Sequence, residues 1–374
     1  MKKLKVLLTN NAIYDGGVET LLRDFVEYLL CREYDVTVAA YPHNRNDLFS
    51  AFDPKVHCVY SVLPRKNYPE HTIRWFINRC FCNTYEYLVR LYLSHQGFDV
   101  MLALKESWVT KQSASIRAKK KFAWMNSRRV DWSKKKKPCF ASIEEERACL
   151  QKYDNIVCVS EDVRNSVIEV LGDPGNLCVR YNPINTQRIL AMATEPCPVV
   201  HNSDKPLLVA LGRLAPEKQY LKLIKVCTKI HETLDFDLWI IGDGAEREIL
   251  EQHISNNNLS FVSLFGHKEN PFPYLKQADV FVSSSYTEGF SLVIHEALTL
   301  KIPVVAIKCA CYDEIFQPEW GILTENSDQA LEEGLRVLFR SKDKREEYKK
   351  NIEKTFPIDA LYTERMNEIC ALWE

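Results

Sequence analysis

Apolar residues fall along this chain in short dense runs, separated by longer stretches of helical period. The runs cover 5–9, 36–40, 56–60, 100–104, 122–125 and 156–159, then 207–211, 238–241, 261–265 and 280–284. They are near-continuous rather than alternating, the pattern of strands buried on both faces of a parallel sheet. Between them, 18–30 places Leu21, Leu22, Phe25, Val26 and Leu29 on one helical face, and 73–93 is a second, aromatic-rich helical stretch. Strand followed by helix throughout predicts an α/β fold with helices on both faces of the sheet. A chain of 374 residues exceeds what one core commonly serves, so two domains are expected. The stretch 194–206 carries three prolines and little periodicity, which places the linker there or slightly before it. The expected division is 1–190, 191–355 and a closing segment 356–374.

Composition changes this picture little. Apolar residues make up 46% and charged residues 26%, ordinary for a globular chain. Lys plus Arg is 49 against 50 Asp plus Glu, which removes the global basic charge of nucleic-acid binders, so no nucleic-acid partner is expected. The apolar piece near the N-terminus is too short for a signal peptide core or a membrane span. Thirteen cysteines are scattered, several inside apolar runs (Cys58, Cys158, Cys178, Cys227), as for reduced thiols in a cytoplasmic protein. Cys80/Cys82 and Cys309/Cys311 lack a second pair at zinc-site spacing, so no metal is expected. One segment breaks the even charge. Between Arg117 and Lys137 stand ten cations in 21 residues against one acid, Asp131, interleaved with Phe122, Trp124, Met125 and Trp132. Such a segment suits an anionic membrane surface, where each cation contributes about 1 kcal/mol. It equally suits a lipid-linked pyrophosphate, or a solvated loop beside one buried strand.

The residues that carry chemistry gather at the C-terminal ends of the predicted strands of the second half. Gly212-Arg213-Leu214-Ala215-Pro216-Glu217-Lys218 follows the first of them. A glycine there admits a bulky ligand, and an Arg fork with a Lys point charge suits a diphosphate. Gly242-Asp243-Gly244 and Gly266-His267 close the next two strands. Glu288-Gly289-Phe290 then turns tightly after the strand at 280–284, and Ser291 is placed to cap the helix that carries Glu296. Two carboxylates, Glu288 on the loop and Glu296 on the helix, suit a ligand rich in hydroxyls, because an ionised carboxylate only accepts hydrogen bonds. In open α/β sheets that rim is where ligands bind. In the first half, Gly16-Gly17 opens a helix, where backbone N–H groups meet an anion, but the spacing is not a Gly-x-Gly-x-x-Gly fingerprint. Asp235-Phe236-Asp237 enters its strand from the opposite rim and reads as a turn.

Together these motifs resemble a retaining family 4 glycosyltransferase of the GT-B type, over nearly the whole chain. The motifs that carry the resemblance are Gly212-Arg213-Leu214-x-x-Glu217-Lys218 and Glu288-x7-Glu296 with Gly289-Phe290 inside it. Gly16-Gly17-x-Glu19, Val159-Ser160, Asn182-Pro183-Ile184 and Gly242-Asp243-Gly244 support it. The resemblance implies two Rossmann-like domains facing each other across a cleft. The first would bind the acceptor, the second the nucleotide-sugar, and the last helix would return to the first. It implies that Arg213 and Lys218 hold the donor diphosphate and stabilise the leaving group, with Glu288 facing the donor sugar and Glu296 the ribose hydroxyls. Gly16, Gly17, Gly212, Gly242, Gly266, His267, Gly289, Phe290, Ser291 and Leu292 would complete the donor site. Asn126, Arg128 and Arg129 are the acceptor-binding candidates. Two departures stand out: Asn126 where relatives carry a His, and Cys309-Ala310-Cys311 where they often carry a Gly pair. The implied reaction moves a sugar from a nucleotide diphosphate donor, a UDP-sugar by expectation, to a hydroxyl acceptor with retention. No metal or cofactor is expected, and a leaving phosphate oxygen is expected to take the acceptor proton; a carboxylate nucleophile is the other route, though Glu288 is better placed for hydroxyl binding. With the segment 117–137, the acceptor is expected to be lipid-linked or a glycan, at the inner face of a membrane. A nucleotide-sugar epimerase and a non-catalytic partner subunit are the rival functions.

Overall fold

The computed structural model describes residues 3–10, 16–40, 52–60, 73–129 and 139–374, with the backbone alone for 73–79 and 81. The chain forms two compact units, one from Met1–Pro183 with Arg365–Glu374 and the other from Ile184–Glu364.

In the first unit a seven-stranded sheet runs in the order β3-β2-β1-β4-β5-β6-β7. These strands are β1 (Lys5–Asn10), β2 (Asp35–Ala40), β3 (His57–Tyr60), β4 (Phe98–Ala103), β5 (Ala118–Met125), β6 (Asn155–Cys158) and β7 (Leu177–Val179). Every pairing is parallel. The central strands are apolar on both sides because helices cover both faces: Val6, Leu7 and Leu8 of β1 and Met101 and Leu102 of β4 are wholly buried. The helix Gly17–Cys31 turns Leu21, Leu22, Phe25, Val26 and Leu29 into that core. Ser160 caps the helix Glu161–Leu171, its Oγ accepting from the Val163 N–H at 3.2 Å.

The second unit carries a six-stranded sheet, β10-β9-β8-β11-β12-β13. Its strands are β8 (Leu207–Leu211), β9 (Asp237–Ile241), β10 (Val262–Gly266), β11 (Val280–Ser283), β12 (Val304–Ile307) and β13 (Gly321–Thr324), again all parallel. Leu208, Ala210, Ile240 and Val282 pack with Leu223, Ile224 and Cys227 of the helix Tyr220–His231 and with Leu331 and Leu335 of the helix Asp328–Arg340.

Each sheet reverses its direction of growth once. In the first unit the chain builds outward from β1 to β3, then restarts at β4 on the other side of β1. In the second the same step falls between β8 and β11. The carboxyl ends of such neighbouring strands splay apart, which leaves a crevice for ligands. The closing residues belong to the first unit: Trp373 lies 5.5 Å from the Phe122 ring, and the Tyr28 hydroxyl donates to Asn367 Oδ1 at 2.6 Å.

The sequence pattern begins the fifth strand at 122, whereas β5 begins at Ala118 and takes in Lys119, Lys120 and Lys121. Charged residues are tolerated there because acids flank them. Lys119 Nζ is 2.7 Å from Asp99, Lys120 reaches Asp154 at 4.0 Å, and Lys121 Nζ donates to the Ala114 carbonyl at 2.5 Å. Burial lowers the Lys121 ammonium pKa.

Candidate active site

The carboxyl ends of β8 and β11, at the switch point of the second unit, bring the two most specific motifs together. After β8 the chain passes Gly212 and Arg213 into a short 3-10 turn, Pro216–Lys218, that ends on Gln219 in the left-handed region, φ 52°. This turn is bound to the loop after β11 at two backbone points. Ser284 Oγ donates to the Lys218 carbonyl at 2.6 Å, and the Tyr286 N–H to the Glu217 carbonyl at 3.1 Å. Lys218 is thereby aimed at the Glu288 carboxylate, with Nζ 2.6 Å from Oε1 and the side chains 18% and 13% exposed. Arg213 is largely exposed and donates to Glu217 Oε1 at 2.7 Å. Burial pushes Glu217 up, but its own backbone N–H and Arg213 outweigh that and hold it below the usual carboxylate range.

Around Glu288 the surroundings are dense. Tyr220 and Tyr312 are buried beside it, and burial plus the Glu288 charge push both phenols up. Cys309, of the Cys-Ala-Cys segment, donates from Sγ to the Ser285 carbonyl at 3.3 Å. Glu296 lies on the helix Leu292–Thr299, near enough to Lys218 and Arg188 to feel both charges. Even so, burial pushes its carboxyl up to about 7. Ser291, at the head of that helix, is 1% exposed, and its Oγ has no hydrogen-bond partner among the described residues. The neighbouring Phe290 stacks on His295 with ring centroids 4.9 Å apart, and His295 Nδ1 is 3.0 Å from the Ser291 carbonyl. Gly289 is buried on the loop, and Leu292, the first residue of the helix, is half-buried.

The glycines at the ends of β8, β9 and β10 lie against one another. The Gly212 N–H donates to Ile241 O at 3.0 Å, and the Gly242 N–H to Gly266 O at 2.9 Å. A Cβ on Gly242, whose φ is +141°, would stand 1.9 Å from the Gly212 carbonyl oxygen. Close backbone packing therefore requires glycine at 242. At Gly266 the space is taken by Arg247, whose guanidinium would lie 2.9 Å from an added Cβ and is held by Glu251 and Asp243 at 2.7 and 3.4 Å. His267 beside it is exposed. Arg247 was not singled out by the sequence, being one basic residue among acids on a surface helix. Asp235 and Asp237, at the opposite rim, pair with Lys205 at 3.0 Å and His201 at 2.8 Å.

In the first unit, Gly16 and Gly17 stand where the helix Gly17–Cys31 starts, and the Gly16 carbonyl accepts from the Glu19 and Thr20 N–H groups at 3.0 and 3.2 Å. Asn126 closes β5. Its Nδ2 donates to Leu104 O at 2.9 Å and to Glu106 Oε2 at 3.3 Å, and its N–H reaches the same oxygen at 3.3 Å. Arg128 pairs with Asp162, and Arg129 with the buried Glu146. Burial raises the Glu146 carboxyl despite Arg129, with a further upward push from Glu106. Thus Lys119, Lys120, Arg128 and Arg129 of the basic segment each face an acid distant in sequence, while Asp131, Trp132 and Lys134 to Lys137 lie outside the described residues. Among the described residues no helix is long and apolar enough to cross a membrane.

Two parallel α/β sheets of this topology make the chain a GT-B fold of the glycosyltransferase type. Residues 194–355 match the model of the family Glycosyl transferases group 1. An uncharacterized glycosyltransferase of Methanocaldococcus jannaschii is 29% identical over 46% of this chain and 44% of its own. The N-acetylgalactosamine-N,N'-diacetylbacillosaminyl-diphospho-undecaprenol 4-alpha-N-acetylgalactosaminyltransferase of Campylobacter jejuni is 29% identical over 46% of each chain. The chain spans about half the length of the curated relatives it matches. The crystal structure of Anabaena HepE in complex with UDP and glucose superposes with a TM-score of 0.77 at 16% identity, over 99% of both chains.

Proposed function

We propose that this chain transfers a sugar from a nucleoside diphosphate donor, a UDP-sugar, to a hydroxyl acceptor, with retention at the anomeric carbon and without a metal. The observation that carries the reading is the Lys218–Glu288 pair at 2.6 Å at the switch point of the second unit, with Arg213 on the same loop and Glu296 beside it. Two cations and two carboxylates meet where a nucleotide-sugar offers a diphosphate and two sets of hydroxyls. When the donor enters, Lys218 exchanges Glu288 for a phosphate oxygen, and Glu288 is released to accept from the sugar hydroxyls. Arg213 turns from Glu217 to the same diphosphate, and Glu296 accepts from the ribose. The bond from the anomeric carbon to the phosphate oxygen breaks, the acceptor oxygen bonds to that carbon on the same face, and the acceptor proton passes to the leaving phosphate. Arg213 and Lys218 offset the charge that develops on the diphosphate.

The acceptor in this reading is lipid-linked or a glycan, supported by the name of the Campylobacter relative, which specifies a diphospho-undecaprenol acceptor. A cytoplasmic site of action at a membrane face belongs to the same proposal. With four cations of 117–137 already paired to acids, surface contact would rest on the remainder of the segment. Flotation with anionic vesicles tests this: no binding removes the membrane from the proposal. A screen of uridine, guanosine and adenosine diphosphate sugars by thermal shift tests the donor, since a ligand that binds the folded state raises its stability. Uridine sugars should stabilise the protein most. Free epimer released without acceptor would favour an epimerase instead.

A further inference from the structure

The helix Ile73–Ser94 of the first unit is apolar on the face it turns to solvent. Its inner face is occupied by Cys82, Glu86 and Leu93, all buried. On the outer face Tyr87, Leu88, Leu91 and Tyr92 stand 40–55% exposed. Positions 87, 88, 91 and 92 fall within about 140° of the helix circumference, so they form one stripe. The patch runs on to the edge strand β3, where Tyr60 is exposed and its carbonyl accepts from the Tyr85 hydroxyl at 3.0 Å. Apolar residues exposed singly need no explanation, but a contiguous patch marks an interaction surface. Charge narrows what that surface meets. Glu86 is the acid of the stretch 80–97, and it faces inward. Just past the helix, the Arg117 N–H donates to Ser94 Oγ at 3.2 Å, and the Arg117 side chain is exposed with no acid partner among the described residues. Lys119, two residues on, covers the nearly buried Asp99 and leaves its own side chain in solvent. The patch is therefore free of exposed acids along the helix and cationic at its end.

We infer that this face of the helix rests on an anionic lipid surface. The helix lies in the plane of the interface, as amphipathic helices do. Leu88 and Leu91 enter the boundary between headgroups and acyl chains. Tyr87 and Tyr92 sit at the headgroup level, ring inward and hydroxyl in water. Arg117 meets lipid phosphate at the end of the stripe. A second copy of the chain fits the patch less well. Its five side chains offer about 400–500 Å². That is roughly half of what each partner gives to a stable protein interface. The inference rests on the membrane site of action proposed above and not on the donor. It places the contact on a helix outside the basic segment, with Arg117 the point where the two meet.

The test is flotation of the full chain with vesicles of phosphatidylcholine containing phosphatidylglycerol, and with phosphatidylcholine alone. Two variants are compared with the unaltered protein: Leu88→Ser with Leu91→Ser, and Arg117→Gln. All three substitutions fall at exposed positions, so both variants should melt with the unaltered protein. The unaltered protein should float with the anionic vesicles and much less with phosphatidylcholine alone. The double variant should partition about tenfold more weakly, having lost two half-exposed leucines from the interface. Arg117→Gln should partition about fivefold more weakly at low salt, and the difference should shrink as salt rises. Flotation of the double variant equal to that of the unaltered protein overturns the assignment to this helix and leaves the membrane site of action standing. Failure of the unaltered protein to float overturns both. A dimer in sedimentation that the double variant abolishes would show that the face meets a second copy instead.

Discussion

Replacing Lys218 by Met removes the cation and leaves Glu288 enclosed without it. The pair is 2.6 Å apart, so its gross attraction at an effective dielectric of ~20 is about 6 kcal/mol. Desolvation of both groups offsets much of that, and breaking such a pair by removing one partner costs about 3–5 kcal/mol. Both side chains keep some contact with solvent, 18% and 13%, which places the expected loss at the lower end, about 3 kcal/mol. In a unit the size of Ile184–Glu364 that lowers the melting temperature by about 6–12 °C. Glu288→Gln alone should cost less, because Lys218 can swing its ammonium into water. Combined with Lys218→Met it should recover part of the loss, giving a coupling of about 1–3 kcal/mol in a double-mutant cycle. The same Lys218→Met protein should bind UDP about 10- to 100-fold more weakly by calorimetry, having lost one charge-assisted hydrogen bond to phosphate. A variant that melts within a degree or two of the unaltered protein, or a strictly additive cycle, would show that the pair does not hold the site. Unchanged UDP affinity would show that Lys218 does not meet the ligand.

Three further outcomes follow from the same geometry. Burial places the Glu296 carboxyl at about 7, above its ordinary value, so the folded state keeps a proton that the unfolded chain has released. Glu296 therefore adds stability below its ordinary value that is lost as pH rises through about 7. Affinity for UDP-glucose should run the other way, rising about tenfold from pH 6 to 8 as the carboxylate ionises, and Glu296→Gln should flatten both curves. Gly242→Ala must move the Gly212 carbonyl out of a 1.9 Å approach at φ +141°, and thermal unfolding should register a loss of about 2 kcal/mol or more; an unaltered melt refutes the packing account. Arg129→Ala leaves Glu146 buried without its guanidinium. Its melting deficit should be largest at neutral pH and shrink as pH falls and the carboxyl, raised by burial, takes up its proton; a deficit that does not change with pH refutes it.

The parallel sheets were legible because strands buried on both faces leave apolar runs that no surface element produces. The rim of the second unit drew notice for a different reason: Arg213, Lys218, Glu288 and Glu296 are charged residues gathered at strand ends, while Gly242 among its glycines serves the backbone packing against Gly212. Side-chain pairing was not legible. That Lys218 rests on Glu288, that Arg213 rests on Glu217 and that Gly242 meets the Gly212 backbone depends on neighbours brought together by sheet order. The basic segment misled for the same reason, since Asp99, Glu146, Asp154 and Asp162 lie outside it in sequence and beside it in the fold.

The most direct measurement is a crystal structure of the protein with UDP-glucose at saturating concentration. The expected result places diphosphate oxygens within hydrogen-bond distance of the Arg213 guanidinium and Lys218 Nζ, the ribose hydroxyls on Glu296, and Lys218 parted from Glu288. A nucleotide bound away from the ends of β8 and β11, or Lys218 still on Glu288 with the ligand in place, would contradict it.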